Sequence, residues 1–329
     1  CRKLQLCILR YIMNKMPKVS ILITSYNSEK WIGQAIDSAL SQTYPDKEIL
    51  VFDDGSQDAS LEIIKSFKDR VYWEAGLNAG ANKARNKLLT KCSGEWLQYL
   101  DGDDYLLPDK ITQQITVLND NREVDVIYSP VLIEESLSKT TSRIKLNIPD
   151  KEDFIVNFIS WGPLQTSALL WRKSAILEAG GWDEKQTVCQ EHELMSRLIC
   201  LNKSFFLYDK PGSVYRNWKE TSTSRINKRL TVSERMRITE KVQDFLSKKN
   251  LMTKKRLEFI DISRFECARY VYMIDPILAN ELINKIKTRN KSFFPRGKAA
   301  KLIYSIFYFL LGFDTAERIA RFFRSLKGK

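Results

Sequence analysis

Hydrophobic residues in the first third of the chain recur at two spacings, one typical of strands and the other of helices. The apolar run at 19–24 is rich in β-branched residues, which predicts a buried strand. Positions 28–42 carry apolar side chains at helical intervals, and Ser28 is the predicted N-cap of that helix. The alternation continues, with further strands predicted at 48–52, 71–73, 96–100 and 124–129 and further helices at 57–68, 79–91 and 108–118. This order predicts an α/β fold in which a mostly parallel sheet carries helices on both faces.

Polar side chains cluster where three of these predicted strands end. In sheets of parallel strands, ligands bind beyond the carboxyl ends of the strands, so these clusters mark the candidate site. The clusters lie at 24–27, 53–56 and 101–104.

The chain changes character near residue 225. Of its 329 residues, 53 are Lys or Arg and 40 are Asp or Glu, which gives a net charge of +13. Residues 226–329 hold 24 of the basic residues and 10 of the acidic ones, and they show long helical patterns. We therefore predict an N-terminal extension at 1–16 without the pattern of a signal peptide, a sheet domain at 17–225 and a basic helical region at 226–329.

The composition excludes several kinds of site. A single His rules out a multi-His metal centre, and none of the six Cys forms a Cys-x-x-Cys pair, so no zinc site is expected. Scattered cysteines indicate free thiols in a reducing compartment. The basic tail raises the alternative of a nucleic-acid-binding protein, but no known nucleic-acid-binding motif accompanies it, and we expect no nucleic-acid partner.

The sequence Asp101-Gly102-Asp103-Asp104 places three carboxylates in four residues. Their mutual repulsion requires a cation, many hydrogen-bond donors or full solvation. Oxygen ligands of this kind suit Mg²⁺ or Mn²⁺, which take phosphate oxygens as further ligands. A solvated turn before the next helix explains the same residues equally well.

The sequence Asp53-Asp54-Gly55-Ser56 is typical of a turn followed by a helix N-cap. Its functional alternative is recognition of a nucleotide base, because a carboxylate can accept a hydrogen bond from a ring N–H. Tyr26 at the end of the first predicted strand could stack on the same base.

The order and spacing of these segments resemble glycosyltransferase family 2 over about residues 17–220. The segments that carry the resemblance are 17–27, 41–58, 78–86, 94–104, 180–184 and 190–198. The resemblance implies the GT-A (Rossmann-like) fold, a nucleotide-sugar donor and transfer with inversion.

The resemblance also implies roles for individual residues. Asp101 would lie near the ribose, and Asp103, together with Asp101, would hold the metal that bridges the diphosphate. The remaining residues implied to contact the nucleotide-sugar are Thr24, Tyr26, Asp53, Asp54, Asn78, Arg85 and Gly102.

The catalytic base follows from the register of the helix that resembles the family's Glu-Asp-x-x-Leu-x-x-Arg motif. Leu194 and Arg197 fix that register, so the acidic pair falls on Gln190 and Glu191. Glu191 is therefore the predicted base, and this chain departs from the family in having Glu at that position and Gln before it. The predicted acceptor-side residues are Trp182, Asp183 and His192.

The resulting expectation is an inverting, metal-dependent glycosyltransferase of the hexosyltransferase type with Mn²⁺ or Mg²⁺ as cofactor. It would transfer a sugar from a UDP-sugar donor to a glycan or lipid-linked acceptor in surface polysaccharide biosynthesis. The rival expectation from another functional class is a catalytically silent nucleotide-sugar-binding protein.

The tail contains an apolar run of 12 residues, 302–313, with basic residues on both sides. A membrane-spanning helix needs about 20 residues, so this run does not span. It is either a buried seam between helices or an interfacial helix on anionic lipid. Because lipid-linked acceptors are implied by the resemblance, we favour contact with an anionic membrane surface and a cytoplasmic, peripheral location.

Overall fold

The computed structural model describes residues 16–120, 123–137, 140–146, 148–162, 164–217, 227–296 and 300–327. The chain forms two compact units. The described residues of 16–154 and 164–217 belong to the first unit, and those of 155–162 and 227–327 belong to the second. The predicted boundary at 225/226 and nearly all of the predicted N-terminal extension lie outside the described residues.

A large sheet organises the first unit. Its described strands are β1 (Val19–Ser25), β2 (Lys47–Asp53), β3 (Tyr72–Ala75), β4 (Trp96–Asp101), β6 (Val126–Tyr128), β9 (Leu169–Arg172) and β10 (Phe205–Leu207). They run in the order β10-β6-β9-β4-β1-β2-β3. The pairs β2/β1, β1/β4, β2/β3 and β6/β10 are parallel, whereas β9 runs antiparallel to both β4 and β6. This confirms the predicted mostly parallel α/β sheet.

Strand β1 lies at the centre of this sheet, and all seven of its residues are buried. A strand between two others and covered on both faces needs apolar side chains on both sides, which is why three apolar residues follow one another at 21–23 instead of alternating with polar ones.

A second sheet was not predicted from the sequence. Its described strands are β5 (Tyr105–Leu106), β7 (Leu132–Leu137), β8 (Thr140–Lys145) and β11 (Ser213–Arg216), and they run in the order β5-β11-β7-β8. Its strands are short or carry many polar residues, so they lack the apolar pattern on which strand prediction depends.

The first four helices follow the predicted order, but the first one starts late, and the helices at 154–159 and 173–178 were not predicted. Helix α1 begins at Ile32 with Trp31 at its N-cap position and no side-chain cap, so the predicted N-cap at Ser28 is wrong. The hydroxyl of Ser28 instead shares a hydrogen bond of 2.8 Å with that of Ser25, which ties the loop to the end of β1. The helices are α1 (Ile32–Leu40), α2 (Ser60–Ser66), α3 (Ala81–Lys91), α4 (Lys110–Ile115), α5 (Phe154–Ile159), α6 (Lys173–Glu178) and α7 (Gln190–Cys200).

The second unit is helical wherever the structure describes an element beyond residue 227. Its core is built around Phe265, which is fully buried and contacts the rings of Phe293, Tyr304, Tyr308 and Phe313. The helices are α8 (Lys228–Lys248), α9 (Lys254–Val271), α10 (Pro276–Arg289), α11 (Leu302–Leu311) and α12 (Phe313–Lys327). Within the described ranges, no helix combines the length and the apolar character needed to cross a membrane.

A buried lysine lies behind the large sheet. Lys110 is 2% exposed, and its Nζ donates to Oε1 of Gln114 at 2.6 Å and to Oε1 of Gln98. Burial lowers the pKa of Lys110 to about 7, because a low-dielectric interior disfavours the charged form.

Replacing this side chain tests whether folding depends on its proton. The unfolded lysine keeps its proton up to a pH of about 10.4, whereas the folded one releases it near 7, so the unfolded state binds more protons in between. The unfolding free energy of the wild type should therefore rise with pH relative to that of Lys110→Met, by up to ~1.4 kcal/mol per pH unit. Urea denaturation of both proteins from pH 7 to 9 measures this difference. The exposed Lys83→Met variant should stay parallel to the wild type, and a parallel Lys110→Met curve would contradict the burial argument.

Candidate active site

The predicted polar clusters meet at one edge of the large sheet. In the parallel register, Ser25 lies beside Asp53 on β2, and Thr24 lies beside Asp101 on β4. Gly102 follows directly, and its amide donates to the carbonyl oxygen of Thr24 at 2.8 Å. A Cβ at Gly102 would lie 2.9 Å from the Ser28 hydroxyl oxygen, so glycine permits this close approach. The three strand ends therefore form one continuous edge.

Asp53 closes the turn after β2. Its two carboxylate oxygens accept hydrogen bonds from the amide of Ser56 at 2.9 Å and from the hydroxyl of Ser56 at 2.6 Å. The side chain is 1% exposed. The turn chemistry expected from the sequence accounts for Asp53, and its contact with a nucleotide stays a prediction.

Asp54 fastens a second loop to the same edge. Its oxygens accept from the amides of Ala79 and Gly80, each at 2.9 Å. These amides lie just before helix α3, where a negative charge is favoured by the helix dipole. Asn78, in the same loop, is exposed. Asp54 thus fixes the start of the helix that carries Arg85, and each of its oxygens retains a second lone pair for a base.

Arg85 joins the sheet edge to helix α7. The residue is 3% exposed, and its Nη2 lies 2.8 Å from Oδ1 of Asp101. Its Nη1 donates to Oε1 of Gln190 at 2.8 Å and to Oδ1 of Asn82 at 3.0 Å. Burial opposes the charge, but Asp101 and Glu191 outweigh it and raise the pKa of Arg85 above its usual value. The guanidinium is therefore charged at neutral pH.

Trp182 supports this guanidinium from one side. The Cζ of Arg85 lies 4.5 Å from the centroid of the Trp182 ring, which is a cation–π contact. The ring also packs edge-on against Tyr99 and Trp171, and the residue is 2% exposed. Trp182 is thus part of the core around Arg85, and its contact with an acceptor stays a prediction.

The carboxylates after β4 differ in their partners. Asp101 is the ion-pair partner of Arg85, and the Asp104 carboxylate accepts from the amide of Arg216 at 2.9 Å. Burial and the nearby Asp101 raise the pKa of Asp103 to about 6. Burial, Asp103 and Asp101 raise the pKa of Asp104 well above its usual value.

Carboxylates that are buried and close to one another are poorly stabilised as anions, and a bound divalent cation would stabilise their charged form. In the part of the chain that the structure describes, no three Asp, Glu, His or Cys side chains are grouped to hold a metal alone. A site of one or two carboxylates completed by phosphate oxygens is the usual arrangement for Mg²⁺. The donor set around Asp103 and Asp101 fits that arrangement.

Arg216 braces the turn that carries these carboxylates. Its Nη1 donates to the carbonyl oxygen of Asp103 at 2.7 Å. Its guanidinium lies between two rings, 4.4 Å from the centroid of Trp31 and 4.6 Å from that of Tyr105. At 3% exposure, Arg216 acts on the turn and not on solvent.

Arg85 and its partners Asn82, Asp101 and Gln190 form what we call the Arg85 cluster. Glu191 lies in the first turn of α7 and faces this cluster. Its Oε1 is 4.0 Å from Nη2 of Arg85 and accepts a hydrogen bond from the hydroxyl of Thr166. The side chain remains 21% exposed. Glu193, by contrast, accepts from Nη2 of Arg197 at 2.8 Å and is 5% exposed. Of these two acidic residues of α7, Glu191 is the one beside the sheet edge.

The other candidate residues occupy different environments. Tyr26 is 51% exposed and Thr24 is 9% exposed at the end of β1. Asp183 is exposed, and its carboxylate accepts from the amide of Lys185 at 2.9 Å. His192 is buried in the first turn of α7, at 8% exposure.

Sequence reasoning missed three residues that hold this site together. Thr166 holds Glu191 and lies on a 3₁₀ turn (Thr166–Ala168) before β9, far from any motif. Gln190 was noted as a departure from the family motif but not as a partner of Arg85. Asn86 pairs with the backbone of Trp182, donating at 2.8 Å and accepting at 2.9 Å. The Asn that follows Arg85 could have suggested the last of these, but the sequence carries no signal for Thr166.

The sequence is similar to those of known glycosyltransferases. Residues 20–177 match the model of the family described as Glycosyl transferase family 2. An uncharacterized glycosyltransferase of Rickettsia typhi is 40% identical over 36% of this chain and 38% of its own length. One of Rickettsia prowazekii is 29% identical over 70% of this chain and 71% of its own length. Glycosyltransferase GlyA of Streptococcus pneumoniae is 29% identical over 62% of this chain and 32% of its own length. The chain thus spans well under half the length of the first and third of these relatives.

A solved structure shares the fold. Residues 1–349 of TarS of Staphylococcus aureus, in complex with UDP-GlcNAc, superpose with a TM-score of 0.55 at 16% identity. The superposition covers 84% of this chain and 93% of that chain. The likeness confirms the predicted GT-A fold.

Removing the side chain of Asn86 tests whether its hydrogen bonds to the backbone of Trp182 stabilise the position of the Trp182 ring, which contacts Arg85. A Cβ at Gly181 would lie 2.9 Å from the Asn86 side-chain oxygen, so this is a tight junction. Asn86→Ala leaves the Trp182 amide and carbonyl without these partners and should lower the unfolding free energy by about 1–3 kcal/mol. Urea denaturation measures the loss. The exposed Lys83→Ala variant on the same helix is the control, and equal stability of the two variants would contradict this role of Asn86.

Proposed function

We propose that the chain is a glycosyltransferase of family 2 and that it transfers a sugar from a nucleoside-diphosphate donor with inversion and with the help of a divalent metal. The observation that carries the proposal is the Arg85 cluster. One buried guanidinium pairs with Asp101 at 2.8 Å and lies 4.0 Å from Glu191. The residues proposed for the leaving group and for the base are therefore adjacent.

The leaving diphosphate would be stabilised on the side of the sheet edge. Asp103, together with Asp101, would hold Mn²⁺ or Mg²⁺ there. When bound, the metal acts as a Lewis acid that stabilises negative charge on phosphate oxygens. Arg85 supplies a fixed positive charge beside it, and a charge already held in place needs no reorganisation during the reaction.

The acceptor hydroxyl would be activated by Glu191. A carboxylate in the first turn of a helix is stabilised by the helix dipole, and the Thr166 hydroxyl holds Oε1 in one orientation. General-base catalysis of this kind contributes about 10²–10⁴-fold. One base and one displacement at the anomeric carbon give inversion, with no covalent intermediate.

The donor is proposed to be a UDP-sugar. Tyr26 offers a half-exposed ring directly after β1, the strand that contains Thr24, and Asp54 directly follows the adjacent strand β2. Support also comes from TarS, which shares the fold and was solved with UDP-GlcNAc.

The acceptor is proposed to be a glycan or a lipid-linked saccharide in surface polysaccharide biosynthesis at the cytoplasmic face of the cell membrane. Asp183 and His192 remain candidates for the acceptor side. Asp183 is exposed, and its neighbour Gln186 contacts Asn82 of the Arg85 cluster.

Glu191→Gln tests the base. The amide keeps the size of the side chain but cannot take a proton, so turnover should fall about 10²–10⁴-fold while UDP affinity changes little. Release of nucleoside diphosphate from a panel of UDP-sugars measures turnover, and NMR of the product gives the anomeric configuration. The exposed Glu152→Gln variant should match the wild type. Turnover within threefold of the wild type would exclude Glu191 as the base, and a donor that is bound but never consumed by the wild type would indicate a silent binding protein.

Asp103→Asn tests the metal. Chelation with EDTA should abolish wild-type transfer, and added Mn²⁺ should restore it. Because the amide is a weaker ligand than a carboxylate, the variant should need roughly tenfold more Mn²⁺ for half-maximal activity. Asp69→Asn, at an exposed carboxylate, should keep the wild-type requirement. Transfer that is insensitive to EDTA would contradict the metal-dependent proposal.

A further inference from the structure

Helix α11 buries hydroxyl-bearing side chains and exposes apolar ones, which is the reverse of an ordinary surface helix. Its buried residues are Tyr304, Ser305 and Tyr308, which all carry hydroxyl groups. The opposite side is pure hydrocarbon and forms what we call the α11 face. The members of the α11 face are between 44% and 70% exposed and comprise Leu302, Ile303, Ile306, Phe309 and Leu310. An ordinary amphipathic helix of a water-soluble domain buries its aliphatic side instead.

The α11 face is contiguous along the helix. Its members fall at positions i, i+1, i+4, i+7 and i+8, which is one side of an α-helix. It also extends beyond the helix, because the half-exposed ring of Phe294 lies 6.3 Å from that of Phe309. Scattered exposed apolar residues need no explanation, but a contiguous set of this kind marks an interaction surface.

The charges near this helix are predominantly positive. No charged residue occurs between Lys301 and Asp314, and Lys301 is exposed at the start of the helix. On α12, Arg318 and Arg321 are exposed, whereas the acidic Glu317 is 3% exposed and pairs with Arg269. The basic side chains therefore face outward while that carboxylate is neutralised inside.

We propose that the α11 face lies in the interface of an anionic lipid membrane. A ten-residue helix is about 15 Å long, half the thickness of a hydrocarbon core, so it can lie in the interface but not cross it. Aliphatic and aromatic insertion combined with basic residues is the pattern of an in-plane membrane anchor. A second copy of the chain would cover the apolar side chains but would bring like charges together, so lipid fits both features better.

The inference rests on the exposure and charge of α11 and α12 and not on the proposed transfer reaction. Lipid binding and sugar transfer can therefore fail separately.

Flotation of the full chain with lipid vesicles tests the proposal. The vesicles are pure phosphatidylcholine or a 70:30 mixture of phosphatidylcholine and phosphatidylglycerol, at low and high salt. The wild type should float with the anionic vesicles and less with the neutral ones. The double variant Ile303→Gln/Phe309→Gln changes exposed side chains and should bind the anionic vesicles at least tenfold more weakly. Arg318→Gln/Arg321→Gln should lose most of the preference for anionic lipid.

The control is Leu177→Gln, which changes an equally exposed apolar residue of the first unit and should bind like the wild type. Circular dichroism and release of nucleoside diphosphate in the absence of lipid should be the same for all variants. A wild type that stays at the bottom of the gradient overturns the proposal, as does unchanged flotation of the Ile303→Gln/Phe309→Gln variant. A dimer that dissociates with that variant but never floats would assign the α11 face to a second copy.

Discussion

The buried guanidinium of Arg85 is the constraint on which the candidate site depends. A charge removed from water is tolerated when it is paired and hydrogen-bonded. Here Asp101 from the end of β4, Gln190 from the start of α7 and Asn82 from one turn earlier on α3 meet that need together. Segments that are far apart in sequence are thus held at one point. The same charge attracts Glu191 and would face a leaving diphosphate.

The acidic turn after β4 is built in a complementary way. Arg216 binds the carbonyl oxygen of Asp103 and presents its amide to Asp104, so the backbone of the turn is fixed by a cation that points away from solvent. The turn therefore keeps its shape while Asp103 keeps a carboxylate whose charge is only partly compensated. Such a turn presents carboxylate oxygens of the kind that Mg²⁺ and Mn²⁺ favour.

Much of the large sheet could be predicted because its central strands β1, β2 and β4 are largely buried. The run at 19–24 became β1 almost residue for residue, and the polar strand ends met as parallel pairing requires. The second sheet was missed because its strands lack an apolar pattern. The N-cap at Ser28 failed because the helix begins only at Ile32 and the Ser28 hydroxyl forms a local hydrogen bond with that of Ser25. The motif at 180–184 identified an aromatic position at Trp182, but it could not show that the ring packs against Arg85, Tyr99 and Trp171. Thr166 could not be found, since its role depends on a fold-level approach to Glu191.

The central claim is that the sheet edge and the start of α7 surround one binding site for a metal and a nucleoside diphosphate. A crystal structure with Mn²⁺ and UDP, with diffraction data collected at the manganese absorption edge, tests it most directly. We expect an anomalous peak at the carboxylate of Asp103, with the diphosphate beside Arg85 and the uracil near Tyr26 and Asp54. Manganese and nucleotide bound at another surface, with Asp103 and Arg85 untouched, would contradict the account.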